Sequence, residues 1–178
     1  MLYAPWPLPI RYKNHCVSHP CQRSATDSIG LLLERAIYKH ILIATDGSEL
    51  AGKAVAAGLA LAKSLGAKVT AVTAIEPWLS IASSDTAAAF MEYQKAAEQD
   101  ATRILGQVSS TAREHGVQCE IVTVTQAAAE AIIETANGRQ CDLIVMSSHG
   151  RRGLARVLLG SQATRVLTLS SVPVLICR

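Results

Sequence analysis

The stretch CDLIVMSSHGRRGLARVLLGS, residues 141–161, constrains the fold more than any other part of the chain. It opens on a near-continuous apolar run, Cys141-Asp142-Leu143-Ile144-Val145-Met146, the pattern of a parallel strand covered on both faces. A loop of small residues follows, Ser147-Ser148-His149-Gly150. After nine intervening residues come Gly160-Ser161 and a helical stretch from Gln162. Glycines let backbone N–H groups approach an anion closely, and a helix N-terminus adds unpaired donors and the positive end of its dipole. The chemistry this suits is a phosphate cradle.

The remaining segments alternate in period. Residues 37–45, 67–75, 117–125 and 172–177 read as strands, the first with His40-Ile41-Leu42-Ile43-Ala44 apolar enough for the centre of a sheet. Residues 48–65 read as a helix with Leu50, Ala54, Gly58, Leu61 and Leu65 on one stripe and Gly66 stopping it. Residues 85–115 form a longer helix with Phe90, Ala97, Ala101, Ile104 and Val108 on its covered face and Gly116 at its end; residues 127–137 form a third, stopped near Gly138. Such alternation implies right-handed crossovers and a single-domain α/β fold, a doubly wound five-stranded parallel sheet.

Asp46 follows the first strand. Ligands of open parallel sheets bind outside the carboxyl ends of the strands where the winding reverses, so this carboxylate is placed to accept ribose hydroxyls. Asp46 or Ser48 also suits the cap of the next helix. Gly47 to Ala54 matches the Walker A phosphate loop except at its last position, where Ala54 has no oxygen for magnesium; the helical stripe turns Lys53 outward.

Together, Thr45-Asp46-Gly47-Ser48 and the later glycine loop resemble the universal stress protein A family, over residues 38–178. YKHILIATDGS, SSHGRRGLARVLLGS and the closing VPVLICR carry the resemblance. The family's nucleotide-binding branch has Gly, two residues, Gly, nine residues, then Gly-Ser or Gly-Thr. Here Ser147 replaces the first glycine, while Gly150 and Gly160-Ser161 are kept. The family also usually has a Gly and a Pro where this chain has Gln126 and Ala128.

The resemblance implies a Rossmann-like sheet of the adenine-nucleotide alpha-hydrolase kind, in strand order 3-2-1-4-5, and a stress-response or signalling role through ATP binding, with Mg2+ accompanying the nucleotide. The implied site residues are Thr45, Asp46, Ala74, Ser147, His149, Gly150, Arg151, Gly160, Ser161 and Gln162. Asp46 would hold the nucleoside and Ala74 would face adenine. The amides of Ser147, Gly150, Gly160 and Ser161 would hold phosphates, with Gly160 in left-handed backbone. Read from the residues, a loop from Pro77 and Trp78 to Ser84 is placed near the nucleotide, with Trp78 equally suited to a hydrophobic plug, and Arg151 and Arg152 suit either screening of phosphate charge or a solvated loop. The resemblance also implies a homodimer through Val174-Leu175-Ile176-Cys177, besides a protein partner of unspecified kind.

No catalytic or metal residue is nominated, because His149 lacks an acid or serine partner at fixed spacing. Two other functions stay open: a dimeric stress-response scaffold without nucleotide, and an adenine-nucleotide hydrolase on the same fold.

Charge excludes one class of partner. Residues 37–178 carry thirteen Lys/Arg against twelve Asp/Glu, so no basic patch for nucleic acid is expected. No apolar run approaches the ~20 residues of a membrane-spanning helix. Five cysteines without framework spacing fit a reducing cytoplasm. Residues 1–36 hold four of the six prolines and are expected to be a disordered N-terminal extension or a mis-assigned start. His15, Cys16, His19 and Cys21 crowd metal-capable side chains there, but without the spaced second pair of structural zinc motifs.

Overall fold

The computed structural model describes residues 37–77, 86–151 and 159–178. The expectations for residues 1–36, for the loop from Trp78 to Ser84 and for Arg152 lie outside the described residues. Among the described residues nine elements alternate: β1 (His40–Ala44), α1 (Glu49–Leu65), β2 (Lys68–Ile75), α2 (Thr86–Glu114), β3 (Cys119–Thr125), α3 (Ala128–Gly138), β4 (Leu143–Ser147), α4 (Ser161–Leu169) and β5 (Val174–Cys177). The five strands form one parallel sheet in the order β3-β2-β1-β4-β5.

Strand alternation divides the core between two faces. Ile41, Ile43, Val69, Ala71, Leu143 and Val145 point to the side covered by α1 and α2, where they meet Val55, Leu59, Leu105 and Val108. Leu42, Ala44, Val72, Ile144 and Met146 point the other way, onto Ile132 and Ala136 of α3 and Ala163 and Val166 of α4. Each large apolar side chain taken wholly out of water contributes about 1.5–3 kcal/mol. The central strands β1 and β4 are buried throughout, which is why they read as unbroken apolar runs.

Local chemistry sets the ends of the elements. The first strand begins at His40 rather than residue 37: the amides of Lys39 and His40 donate to the Asp142 carboxylate at 2.7 and 3.1 Å, and Ile37 is exposed. The third begins at Cys119 because the Val117 amide still donates to Ala112 O of the preceding helix, at 2.9 Å. Ser48 caps α1, its hydroxyl accepting from the Ala51 amide at 3.2 Å. Gly66 ends that helix at φ +65°, a left-handed conformation that costs a glycine little.

The apolar stripe of α1 is rotated from its expected position. Ala51, Ala54, Val55, Gly58, Leu59 and Ala62 are buried, whereas Leu50, Leu61 and Leu65 are only half-buried. Gly58 explains the shift. A β-carbon there would come within 2.7 Å of Ile43 Cδ1, so the helix packs closest to the sheet along its smallest residues. Phe90, expected on the covered face of α2, is exposed.

Candidate functional site

The strand order reverses between β1 and β4, and their carboxyl ends diverge into a cleft of about 760 Å3. Each strand delivers a turn to it. After β1, the Thr45 hydroxyl accepts from the Gly47 amide at 3.2 Å, and Asp46 Oδ1 accepts from the Ser48 amide at 3.0 Å. Gly47 lies at φ +76° beneath α2, where a β-carbon would meet Ile104 Cγ1 at 2.7 Å. Lys53, which a Walker loop would aim at phosphate, is exposed on α1.

After β4, the Ser147 hydroxyl donates to the His149 carbonyl at 2.7 Å, and Ser148 Oγ and His149 Nδ1 are 3.1 Å apart. The Ser148 amide donates to Cys177 O at 2.8 Å, tying the loop to β5. The Arg151 amide then donates to Asp46 Oδ2 at 2.7 Å, which brings the two turns together across the cleft. A β-carbon on Gly150 would sit 2.6 Å from that same oxygen, so a side chain there would push the Asp46 carboxylate away from the Arg151 amide.

Gly160 is the N-cap of α4 and makes no side-chain cap bond. The first turn of α4 therefore begins with amides that have no partner within the helix. Its φ of −62° corrects the expectation of left-handed backbone: space, not conformation, selects glycine here, since a β-carbon would stand 2.9 Å from Ser148 O. The Gly160 amide is also not a free phosphate donor, because it donates to Ser148 O at 2.9 Å. Ser147 ends β4 without positive φ, so replacing glycine there brings no backbone strain.

All ten expected residues, Thr45, Asp46, Ala74, Ser147, His149, Gly150, Arg151, Gly160, Ser161 and Gln162, line this cleft. The Gln162 side chain has a structural duty as well. Its Oε1 accepts from the Ala129 amide at 3.1 Å, capping α3, whose own N-cap Ala127 has no side-chain acceptor. Gln126 turns away: its side chain donates to Glu134 at 3.0 Å in a separate shallow groove, while Ala128 borders the cleft.

Sequence reasoning missed the wall supplied by α2. Tyr93, Ala97, Asp100 and Ile104 line the cleft, and Asp100 Oδ2 pairs with Arg151 Nη2 at 2.7 Å. Arg103 and Arg151 beside Asp100 hold its carboxyl below the usual carboxylate range. The available signal was periodicity, since Asp100 is three residues from Ala97 and four from Ile104 on a face read only as cover.

Fold and cleft define a class, the single-domain α/β proteins with a ligand cleft where a doubly wound sheet reverses. Within it, the chain belongs to the universal stress protein family, whose model matches residues 37–178. A universal stress protein of Methanocaldococcus jannaschii is 33% identical over 144 residues, 80% of this chain and 83% of that protein. Among solved structures, the UspA of Lactobacillus plantarum shares the fold with a TM-score of 0.73 at 20% identity, covering 79% of this chain and 98% of its own. A universal stress protein in complex with cAMP is 28% identical with a TM-score of 0.62, covering 80% of this chain and 98% of its own.

Proposed function

We propose that this protein binds an adenine nucleotide in the cleft and acts in stress response or signalling by binding and partner recognition rather than by catalysis. The observation that carries the reading is the pair of close approaches at Gly150 and Gly160 beside the open first turn of α4. Space for a β-carbon has been given up at both positions flanking a ready anion site. The similar structure with cAMP supports the same chemistry.

In this reading the phosphates meet the Gly150 amide, the first turn of α4 and the Ser161 hydroxyl. Asp46, whose oxygens already accept two backbone amides, keeps lone pairs for ribose hydroxyls. The base lies toward Ala74 and Ile75, against the apolar wall of Ile104 and Ile132. ATP is the expected ligand. Magnesium would travel with its phosphates, since Mg2+ is usually held by phosphate oxygens and waters rather than by an all-protein cage.

Burial pushes the thiols of Cys119, Cys141 and Cys177 up, Cys141 to about 11, which keeps them protonated and poor nucleophiles. Ser148 Oγ lies 3.1 Å from His149 Nδ1, a serine partner that spacing along the chain did not show, so release of labelled phosphate is the measurement that separates binding from turnover. Among the described residues no helix is long and apolar enough to cross a membrane.

A homodimer through β5 completes the proposal. Ile144 N donates to Pro173 O and Ser148 N to Cys177 O, so alternate residues of β5 face β4. Val174 and Ile176 thus direct their backbone groups outward, beside an exposed Leu175. A second copy related by a two-fold axis would satisfy them.

Calorimetry with ATP, with and without magnesium, tests the nucleotide reading, and release of labelled phosphate tests turnover. Binding without turnover is the expected result. If the wild-type protein binds no ATP with magnesium present and Ser147→Gly creates no binding, the nucleotide reading gives way to a dimeric scaffold. Steady phosphate release abolished by Asp46→Asn would favour the hydrolase instead.

A further inference from the structure

Asp100 adds a negative charge to the α2 wall of the cleft and pairs there with Arg151. Among the described residues lining the cleft, the carboxylates Asp46, Glu76 and Asp100 stand against one guanidinium, Arg151. That guanidinium is engaged by Asp100 at 2.7 Å, and the other Asp100 oxygen takes Arg103 Nη2 at 2.6 Å. The loop amides are committed too: Arg151 N serves Asp46, and Gly160 N serves Ser148 O. Among the described residues, the Gly150 amide, the first turn of α4 and the Ser161 hydroxyl remain for an anion.

Resting on the nucleotide reading above, we infer that Asp100 is a specificity-determining residue that limits how much phosphate charge the cleft accepts. An adenine mononucleotide, or a triphosphate neutralised by magnesium, is held in preference to the free triphosphate. Two physical effects act in the same direction. The Asp100 carboxylate repels every added phosphate charge through the partly dried cleft. It also occupies Arg151, the group suited to pairing with outer phosphate oxygens. Both Asp100 and Arg151 are partly exposed, so added salt weakens the discrimination.

Replacement by asparagine removes the charge while keeping the size and an oxygen acceptor. The test is calorimetric titration of the full chain with adenosine, AMP, cAMP and ATP, the last with and without magnesium, at low and high salt. The wild-type protein should hold AMP more tightly than magnesium-free ATP. Asp100→Asn should raise the affinity for magnesium-free ATP relative to AMP by about three- to tenfold at low salt, and by less at high salt. Adenosine, which brings no charge, should bind both proteins alike. Adding Arg151→Gln to Asp100→Asn should remove part of the gain, and Asp100→Glu should preserve the wild-type ranking.

An unchanged or lowered ATP-to-AMP ratio in Asp100→Asn, with the domain folded by circular dichroism, overturns the inference and leaves the nucleotide reading standing. Absence of binding by every compound, to both proteins, overturns the two together.

Discussion

The Gly160 amide donates to the Ser148 carbonyl at 2.9 Å, and a β-carbon on Gly160 would stand 2.9 Å from that same oxygen. One oxygen thus both fixes the start of α4 and forbids a side chain there. Because the obstacle is backbone, it cannot rotate aside as a side-chain tip would. Gly160→Val must displace either the loop or the helix start, and with it the donors aimed into the cleft. The expected outcome is loss of nucleotide binding by at least about tenfold, with a fall in melting temperature of no more than a few degrees. Titration calorimetry and thermal circular dichroism on the same sample check both halves.

Gln162 offers a separable effect on stability. Its side chain supplies the N-terminal acceptor that Ala127 cannot, reaching the Ala129 amide from the neighbouring helix. Gln162→Ala should destabilise the domain by about 0.5–2 kcal/mol, the usual worth of a helix cap. Urea denaturation should show a lower midpoint at unchanged slope.

Leu175 tests the dimer. Its side chain is exposed at the sheet edge and its substitution leaves the backbone ladder to β4 intact. Two copies paired about a two-fold axis would bring Leu175→Glu carboxylates near one another, and like charges across a strand pair repel. Sedimentation at micromolar concentration should show wild-type dimer and variant monomer. A wild-type monomer removes the β5 interface from the account.

His40 gives the stability a pH slope. Its ring is buried with Nε2 2.8 Å from Thr70 Oγ1, and burial, aided by Lys68, lowers its pKa from 6.5; a hydrogen bond to the Arg139 backbone and the charges of Asp142 and Glu120 oppose this only in part. The unfolded chain therefore binds the proton more readily than the native one. Stability attributable to His40 is complete above pH 6.5 and is lost as pH falls from there toward the lowered native value. The loss is about 1.4 kcal/mol for each unit of lowering. Melting curves from pH 7.5 down to 5.5 should show the decline, and His40→Gln, which has no such proton to take up, should flatten it.

The sequence by itself determined the architecture and the place of the cleft. Both are written in local patterns: unbroken apolar runs for β1 and β4, helical stripes between them, and a carboxylate and glycines just past the strand ends. Strand order was legible only through resemblance, because periodicity does not say which strands are neighbours. What only the tertiary structure decided is how the loop's donors are spent. Whether Gly160 N points at a ligand or at Ser148 O, and whether the Arg151 side chain is free or held by Asp100, depends on atoms distant in sequence meeting within 3 Å. Hydrogen bonds and ion pairs act over such short distances that no pattern along the chain records them. Asp100 shows the limit most clearly. On α2 it reads as one more polar residue beside an apolar stripe, and it becomes part of the site only when the helix is laid across the ends of the sheet.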